Sequence, residues 1–188
     1  MAASPELTDR IAGAVTELQS AASGVEASAL DALAAEIAAA GRIVLHGVGR
    51  EGLMMRALAM RLHHLALDVH VAGDMTAPPV GPGDLLFVSA GPGAFSTVMA
   101  LIGVAREAGA RVACVTAVAD GAAARAADVT LVIPAQTMAE AEGTGSVLPM
   151  GSLFEMAQFL VFEMLVLKLR ADLGRSAGEM RARHTNLE

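Results

Sequence analysis

Apolar positions change period several times along the chain, and each change marks an element. Between residues 26 and 40, Leu30, Leu33 and Ile37 recur at helical spacing in an alanine-rich segment. Residues 6–22 read the same way, so the chain is expected to open with two amphipathic helices. "RIVLH" breaks the period. It is short and apolar, which predicts a buried strand at Ile43–His46, with Gly41 as the C-cap of the preceding helix. Residues 51–66 return to helical spacing, with Leu53, Ala57, Met60, Leu62 and Leu65 expected to face a core. "DVHVAG" (68–73) predicts a short strand, and the prolines and glycines of "TAPPVGPGD" a loop.

The alternation continues. "DLLFVS" predicts a third strand, residues 94–108 a helix ended by Gly109, and "RVACVTA" a fourth strand. "DGAAARAA" predicts a short helix and "DVTLVIP" a fifth strand stopped by Pro134. Residues 135–150 read as a polar, flexible loop, and a long helix runs from about 152 to 172. "SAGEMRARHTNLE" adds one short helix. Strands alternating with helices imply βαβ units and an α/β fold, a parallel sheet with helices on both faces. Uniformly apolar strands agree with burial on both sides. No internal repeat or boundary is visible, so residues 1–188 are expected to form one domain: helices over 6–40, an α/β core over 42–134, and a C-terminal helix and tail over 152–188. Ligands of open α/β sheets bind beyond the C-terminal strand ends, near a reversal of strand order. Three loops therefore matter most: "HGVGREG" (46–52), "AGDMTAPP" (72–79) and "SAGPGAF" (89–95).

Composition narrows the classes. Hydrophobic residues make up 54% of the 188, mostly small and aliphatic, with no Trp or Tyr, which suits helices packed closely on a parallel sheet. The net charge of −7 lacks the basic footprint that nucleic acid requires. "MAASPELTDRIAG" has no basic region followed by an apolar one, and "MAQFLVFEMLVLKLR" is interrupted by Glu163 and Lys168. The expectation is a cytoplasmic protein with neither nucleic-acid nor membrane partners. The single cysteine, Cys114, lies in an apolar strand and reads as a small buried hydrophobe.

Candidate chemistry sits beside the glycine turns. Gly47 and Gly49 permit a tight strand-to-helix turn, but the dinucleotide G-x-G-x-x-G pattern fails at Leu53. Arg50 is electrostatically misplaced at a helix N-terminus unless it has a partner. In "PMGSLFE", Ser152 and Glu155 have the S-x-x-E spacing of a capping box, with a general base as the functional alternative for Glu155. His184 lies in the C-terminal tail, and at least one of His63 and His64 is expected in a core or interface. No spacing matches a metal site.

Taken together, "HGVGREGLMMRALAMRLHHL", "GDMTAPPVGPGDLL", "LPMGSLFE" and the terminal "RHTNLE" resemble the 6-phospho-3-hexuloisomerase family of single SIS (sugar isomerase) domains. The resemblance runs from about residue 10 to 188, in order. It implies a three-layer α-β-α sandwich on a five-stranded parallel sheet of flavodoxin-like topology. It also implies a homodimer or homotetramer, a sugar or sugar-phosphate ligand, and no metal or organic cofactor. The implied reaction is proton transfer between neighbouring carbons of a ketose through an enediolate, which needs a carboxylate base and preorganised donors. By resemblance Glu155 is that base, and His184 moves protons between oxygens or helps open the ring, in its own or a neighbouring subunit. Arg50 stabilises developing charge or binds sugar oxygens. Gly49, Glu51, Thr76, Ser89, Gly91, Gly93, Ser96, Thr97 and Ser152 complete the implied substrate-binding set.

The chain departs from the family at its phosphate loop. There an S-x-S-x-x-T/S pattern is replaced by Ala90, Pro92 and Phe95, and Pro92 also lacks a backbone N–H. Glu51 stands where a small hydroxyl residue is usual, and Met75–Pro78 stands for a threonine-rich segment. An added carboxylate and missing hydroxyls disfavour a phosphate. The reading is a sugar isomerase whose substrate is altered. The alternatives are a true 6-phospho-3-hexuloisomerase with a rebuilt phosphate site, and a non-catalytic carbohydrate-binding or regulatory module.

Overall fold

The computed structural model describes residues 4–140 and 146–187. Two helices open it, α1 (Pro5–Ser23) and α2 (Ala27–Ala39). Ser4 caps α1 by accepting a hydrogen bond from Leu7 N–H, with Pro5 in the first turn. The α/β region follows: β1 (Ile43–His46), α3 (Gly49–His64), β2 (Val69–Val71), β3 (Leu85–Ser89), α4 (Ser96–Glu107), β4 (Arg111–Thr116), α5 (Ala122–Ala126) and β5 (Val129–Val132). The long α6 (Ser152–Asp172) and short α7 (Ala177–Ala182) complete the order. The described part of 135–150 contains neither helix nor strand, while residues 141–145 of that predicted loop lie outside the described residues.

All strand pairs are parallel, in the order β2-β1-β3-β4-β5. Strand alternation feeds two cores. Ile43, Leu45, Leu85, Phe87 and Val115 point to the face covered by α2, α3 and α6, where Phe87 meets Phe162 edge-on at 5.8 Å. Val44, Leu86, Val88, Val112 and Cys114 point to the α4 and α5 face. The sandwich is therefore three-layered, with α1 packed outside against α6. Among the described residues no helix is long and apolar enough to cross a membrane.

Three local expectations are corrected. Gly41 does not cap α2: the helix ends at Ala39, Ala40 is extended, and Gly41 N–H donates to Gly83 O instead. Of the residues expected to face the core from α3, Leu62 and Leu65 are fully buried and Ala57 is half-buried, but Leu53 and Met60 are 58% and 48% exposed. The buried stripe of α3 is Met55, Leu58, Ala59 and Leu62, a cleaner i, i+3, i+4, i+7 set. Ser152 does not head a capping box. The N-cap of α6 is Gly151, with no side-chain cap, and the capping box present is at Ser176 and Glu179 of α7. Truncating Leu58 to Ala is expected to cost about 2–5 kcal/mol in chemical denaturation. Leu53→Ala should stay within about 0.5 kcal/mol. Equal losses would contradict this assignment of faces.

Candidate active site

The strand order reverses between β1 and β3, so the loops after these strands face each other across one crevice. α3 starts at once after β1, with Gly49 at φ +57°. That places Arg50 and Glu51 in the first turn. Neighbours on a helix point about 100° apart. Here they diverge into different environments: Glu51 is 6% exposed, while the Arg50 side chain is 58% exposed.

Glu51 reaches across the crevice to the loop after β3. Its Oε2 accepts the Gly91 N–H at 2.9 Å and the Ser89 hydroxyl at 2.5 Å. Ser89 in turn accepts from Gln158 Nε2 of α6 at 3.0 Å. The approach is close, since a Cβ at Gly91 would lie 2.7 Å from Glu51 Oε1 and 2.9 Å from the Phe154 ring. Burial raises the Glu51 carboxyl above its ordinary range, against the opposing pull of the Ser89 and Gly91 hydrogen bonds. Burial, with the Glu51 charge behind it, also pushes the Cys114 thiol up to about 12.

Arg50 turns toward α6. Its Nη1 donates to Ser152 Oγ at 3.0 Å, and its Nε lies 2.8 Å from Glu155 Oε2. The second contact is an ion pair off the hydrogen-bonding axis, because this oxygen is buried with no aligned donor. Glu155 is 13% exposed. Its carboxyl is raised by burial, lowered by Arg50 and raised again by the Glu51 charge. Gly151, at φ +77°, sets the start of α6, and any Cβ there would meet Met138 N at 2.6 Å. The pair lines a cleft of about 460 Å³ whose other walls include Met54, Met156, Phe159 and Leu160.

The remaining expected residues are distributed around this centre. Ser89 and Gly91 are buried and bonded to Glu51; Ser152 is buried and bonded to Arg50. Gly93, at φ +94°, turns the loop back so that its N–H donates to Ala90 O. Ala90 is buried in the α4-side core, and Phe95 is the N-cap residue of α4 without a side-chain cap. Ser96 and Thr97 are exposed in the first turn of α4. Thr76 lines a separate hollow of about 250 Å³ with His63, His70 and Asp74.

His184 is exposed, and its ring stacks on the buried His64 at 5.5 Å. His64 ends α3, about 20 Å along the helix from Arg50. Within one chain the structure does not bring His184 to Glu155.

Two residues at the crevice were not anticipated. Gln158 is wholly buried one turn after Glu155, a polar side chain on an apolar helix face. His46 ends β1 with its Nε2 buried and unbonded, and burial lowers its pKa. A polar residue closing an apolar strand was the signal available for His46.

A model of the SIS domain family matches residues 36–161, and the chain belongs to that family. Among its relatives, the 3-hexulose-6-phosphate isomerase of Mycobacterium gastri is 38% identical over 183 residues, covering 97% of this chain and 92% of its own. The enzyme of the same name from Bacillus subtilis (strain 168) is 30% identical over 182 residues, covering 96% and 98%. The crystal structure of a hypothetical protein from Methanococcus jannaschii, which infers the same function for that protein, superposes with a TM-score of 0.81. It shares 26% identity, covering 97% of this chain and 99% of that one. The resemblance drawn from the motifs therefore holds for the family, and with it the sugar-phosphate isomerase-like class.

Glu51 supplies a test of the electrostatics. Its folded-state pKa is raised, so between the unfolded and folded values the native state binds more protons, and stability falls as pH rises through that window. Glu51→Gln removes this penalty. The melting-temperature difference between the variant and the parent should grow in the variant's favour from pH 4 to pH 7. A difference independent of pH would show that Glu51 is not a buried charge.

Proposed function

We propose that this protein is a sugar isomerase that transfers a proton between adjacent carbons of a ketose through an enediolate. The observation that supports this most is Glu155, a mostly buried carboxylate paired at 2.8 Å with the Arg50 guanidinium on the wall of a cleft. In the ionised form Glu155 takes the proton from the carbon next to the carbonyl. The carbonyl π pair moves onto its oxygen, where a cation such as Arg50 stabilises the enediolate. The C–H pair becomes the C=C bond of the enediolate, and the neighbouring hydroxyl gives its proton to the former carbonyl oxygen. Glu155 returns the carbon proton to the former carbonyl carbon, so that the neighbouring oxygen becomes the new carbonyl and Glu155 is again a carboxylate. The substrate is read as altered, because Ala90, Pro92 and Phe95 offer no side-chain donors to a phosphate. A second reading, a phosphorylated ketohexose with a rebuilt seat, is favoured by the names of the full-length relatives.

Turnover of ketose phosphates and their unphosphorylated counterparts tests both readings. Glu155→Gln should lower kcat by about 10²–10⁴-fold on whichever sugar reacts. The acid limb of kcat/KM should lie above the ordinary carboxylate value of about 4.3. Arg50→Met, which removes the lowering cation, should move that limb to higher pH. Turnover unchanged in Glu155→Gln would remove the base. Saturable sugar binding without any turnover would favour a non-catalytic module.

His184 enters this scheme through a second copy of the chain. Within its own subunit it stacks on the far end of α3, and the cleft beside Glu155 has apolar, exposed walls at Met156 and Phe159. We infer a homo-oligomer in which the tail of one subunit completes the site of another. Mixing inactive Glu155→Gln and His184→Ala subunits, after unfolding and refolding together, should restore roughly a quarter of the parental activity in a two-fold dimer. No recovery would place each site within one chain.

A further inference from the structure

We propose that Glu51 is the specificity-determining residue of the crevice: its carboxylate occupies the anion seat of the loop after β3 and excludes ligands with an anionic group there. The inference rests on the crevice being the sugar site. The seat is defined by position. Glycine-rich turns between a strand and a helix at a reversal of strand order present backbone amides to anions. The loop over residues 89–95 is such a turn, and its Gly91 N–H is already donated to Glu51 Oε2 at 2.9 Å.

The hydrogen-bond polarity around that oxygen is consistent with a carboxylate. Gln158 Nε2 donates to Ser89 Oγ, so the single Ser89 proton is directed onward to Glu51. Two donors from separate elements, the end of β3 and the loop after it, converge on one acceptor. The space is filled as well as the bonding capacity, since Glu51 Oε1 and the Phe154 ring leave no room for even a methyl group at Gly91. The hydrogen-bond partners that hold Glu51 are neutral, the Ser89 hydroxyl and the Gly91 N–H. A phosphate brought to the same amide would meet a buried negative charge whose own partners are neutral. The Glu51 charge also raises the Glu155 carboxyl, after burial and against Arg50. The ligand class that remains is a polyhydroxy ketose whose end at this loop is uncharged and bonds as a hydroxyl.

The test uses inorganic phosphate and the full-length protein, comparing the parent with Glu51→Ser and Glu51→Gln. Binding is measured by calorimetry, and the Gly91 amide is followed by NMR. In the parent, phosphate should not bind saturably and the Gly91 resonance should not move. In Glu51→Ser, phosphate should bind at least about tenfold more tightly and shift that resonance. Glu51→Gln should gain less, because it fills the seat without the charge, and it decides the question alone if the serine variant fails to fold. Phosphate binding to the parent with a shift at Gly91, or no gain in either variant, would overturn the proposal. The readout is independent of turnover. A gain in phosphate binding with no sugar turned over would sink the isomerase reading and leave this inference standing. Turnover of a ketose with no gain would do the reverse.

Discussion

Every paired strand of the sheet runs in the same direction, and the site follows from that constraint. A parallel pair cannot be closed by a hairpin, so each strand returns through a crossover. All loops that leave a strand end therefore gather at one edge. The first crossover carries the chain outward from β1 to β2, and the next returns it past β1 to β3. The two loops at that reversal cannot close over each other and leave a crevice. Both faces of the sheet must also be covered, since alternate residues of β1, β3 and β4 are apolar in both directions. Covering one face with α3 and α6 brings their N-termini, Arg50 and Glu51 on one and Ser152 and Glu155 on the other, to the same crevice.

Charge in that crevice is arranged unevenly. Two carboxylates and one guanidinium meet there, and of the two carboxylates the guanidinium pairs with Glu155. Glu51 is held by neutral donors alone, from Gly91 and Ser89. A buried carboxylate satisfied by hydrogen bonds but unpaired with a cation is destabilising relative to an apolar side chain. The loop that Glu51 grips lies at the reversal of strand order, where open α/β sheets bind ligands. Arg50 reconciles its position with the helix dipole through its partners. A cation is unfavourable at a helix start, yet here it bridges the first turns of α3 and α6 through Ser152 and Glu155.

Reading the chain by pattern worked where the pattern has a local cause. The strands Ile43–His46 and Leu85–Ser89 and the helix Ser152–Asp172 emerge within a residue of their expected limits, because short apolar runs and long 3.6-residue periods belong to single elements. It failed where two local causes compete. S-x-x-E at Ser152 and Glu155 and at Ser176 and Glu179 is the same signal, but only the exposed second pair forms a capping box. At the first, Arg50, 102 residues away in the chain, engages both the hydroxyl and the carboxylate. On α3, Leu53 and Met60 are as apolar as the core stripe but lie on the face that α6 and the sheet leave open.

The amino-acid sequence by itself determined the alternation of strands and helices, the parallel sheet that alternation requires, and the glycine turns at the strand ends. These depend on hydrophobic period and backbone freedom, which are properties of neighbours in the chain. Only the tertiary structure decided which residues meet. It sent adjacent Arg50 and Glu51 to different partners, closed Glu51 onto Gly91 and Ser89, recruited Gln158 and placed His184 at the far end of α3. Those outcomes depend on distances between elements remote in sequence, and no local pattern encodes them.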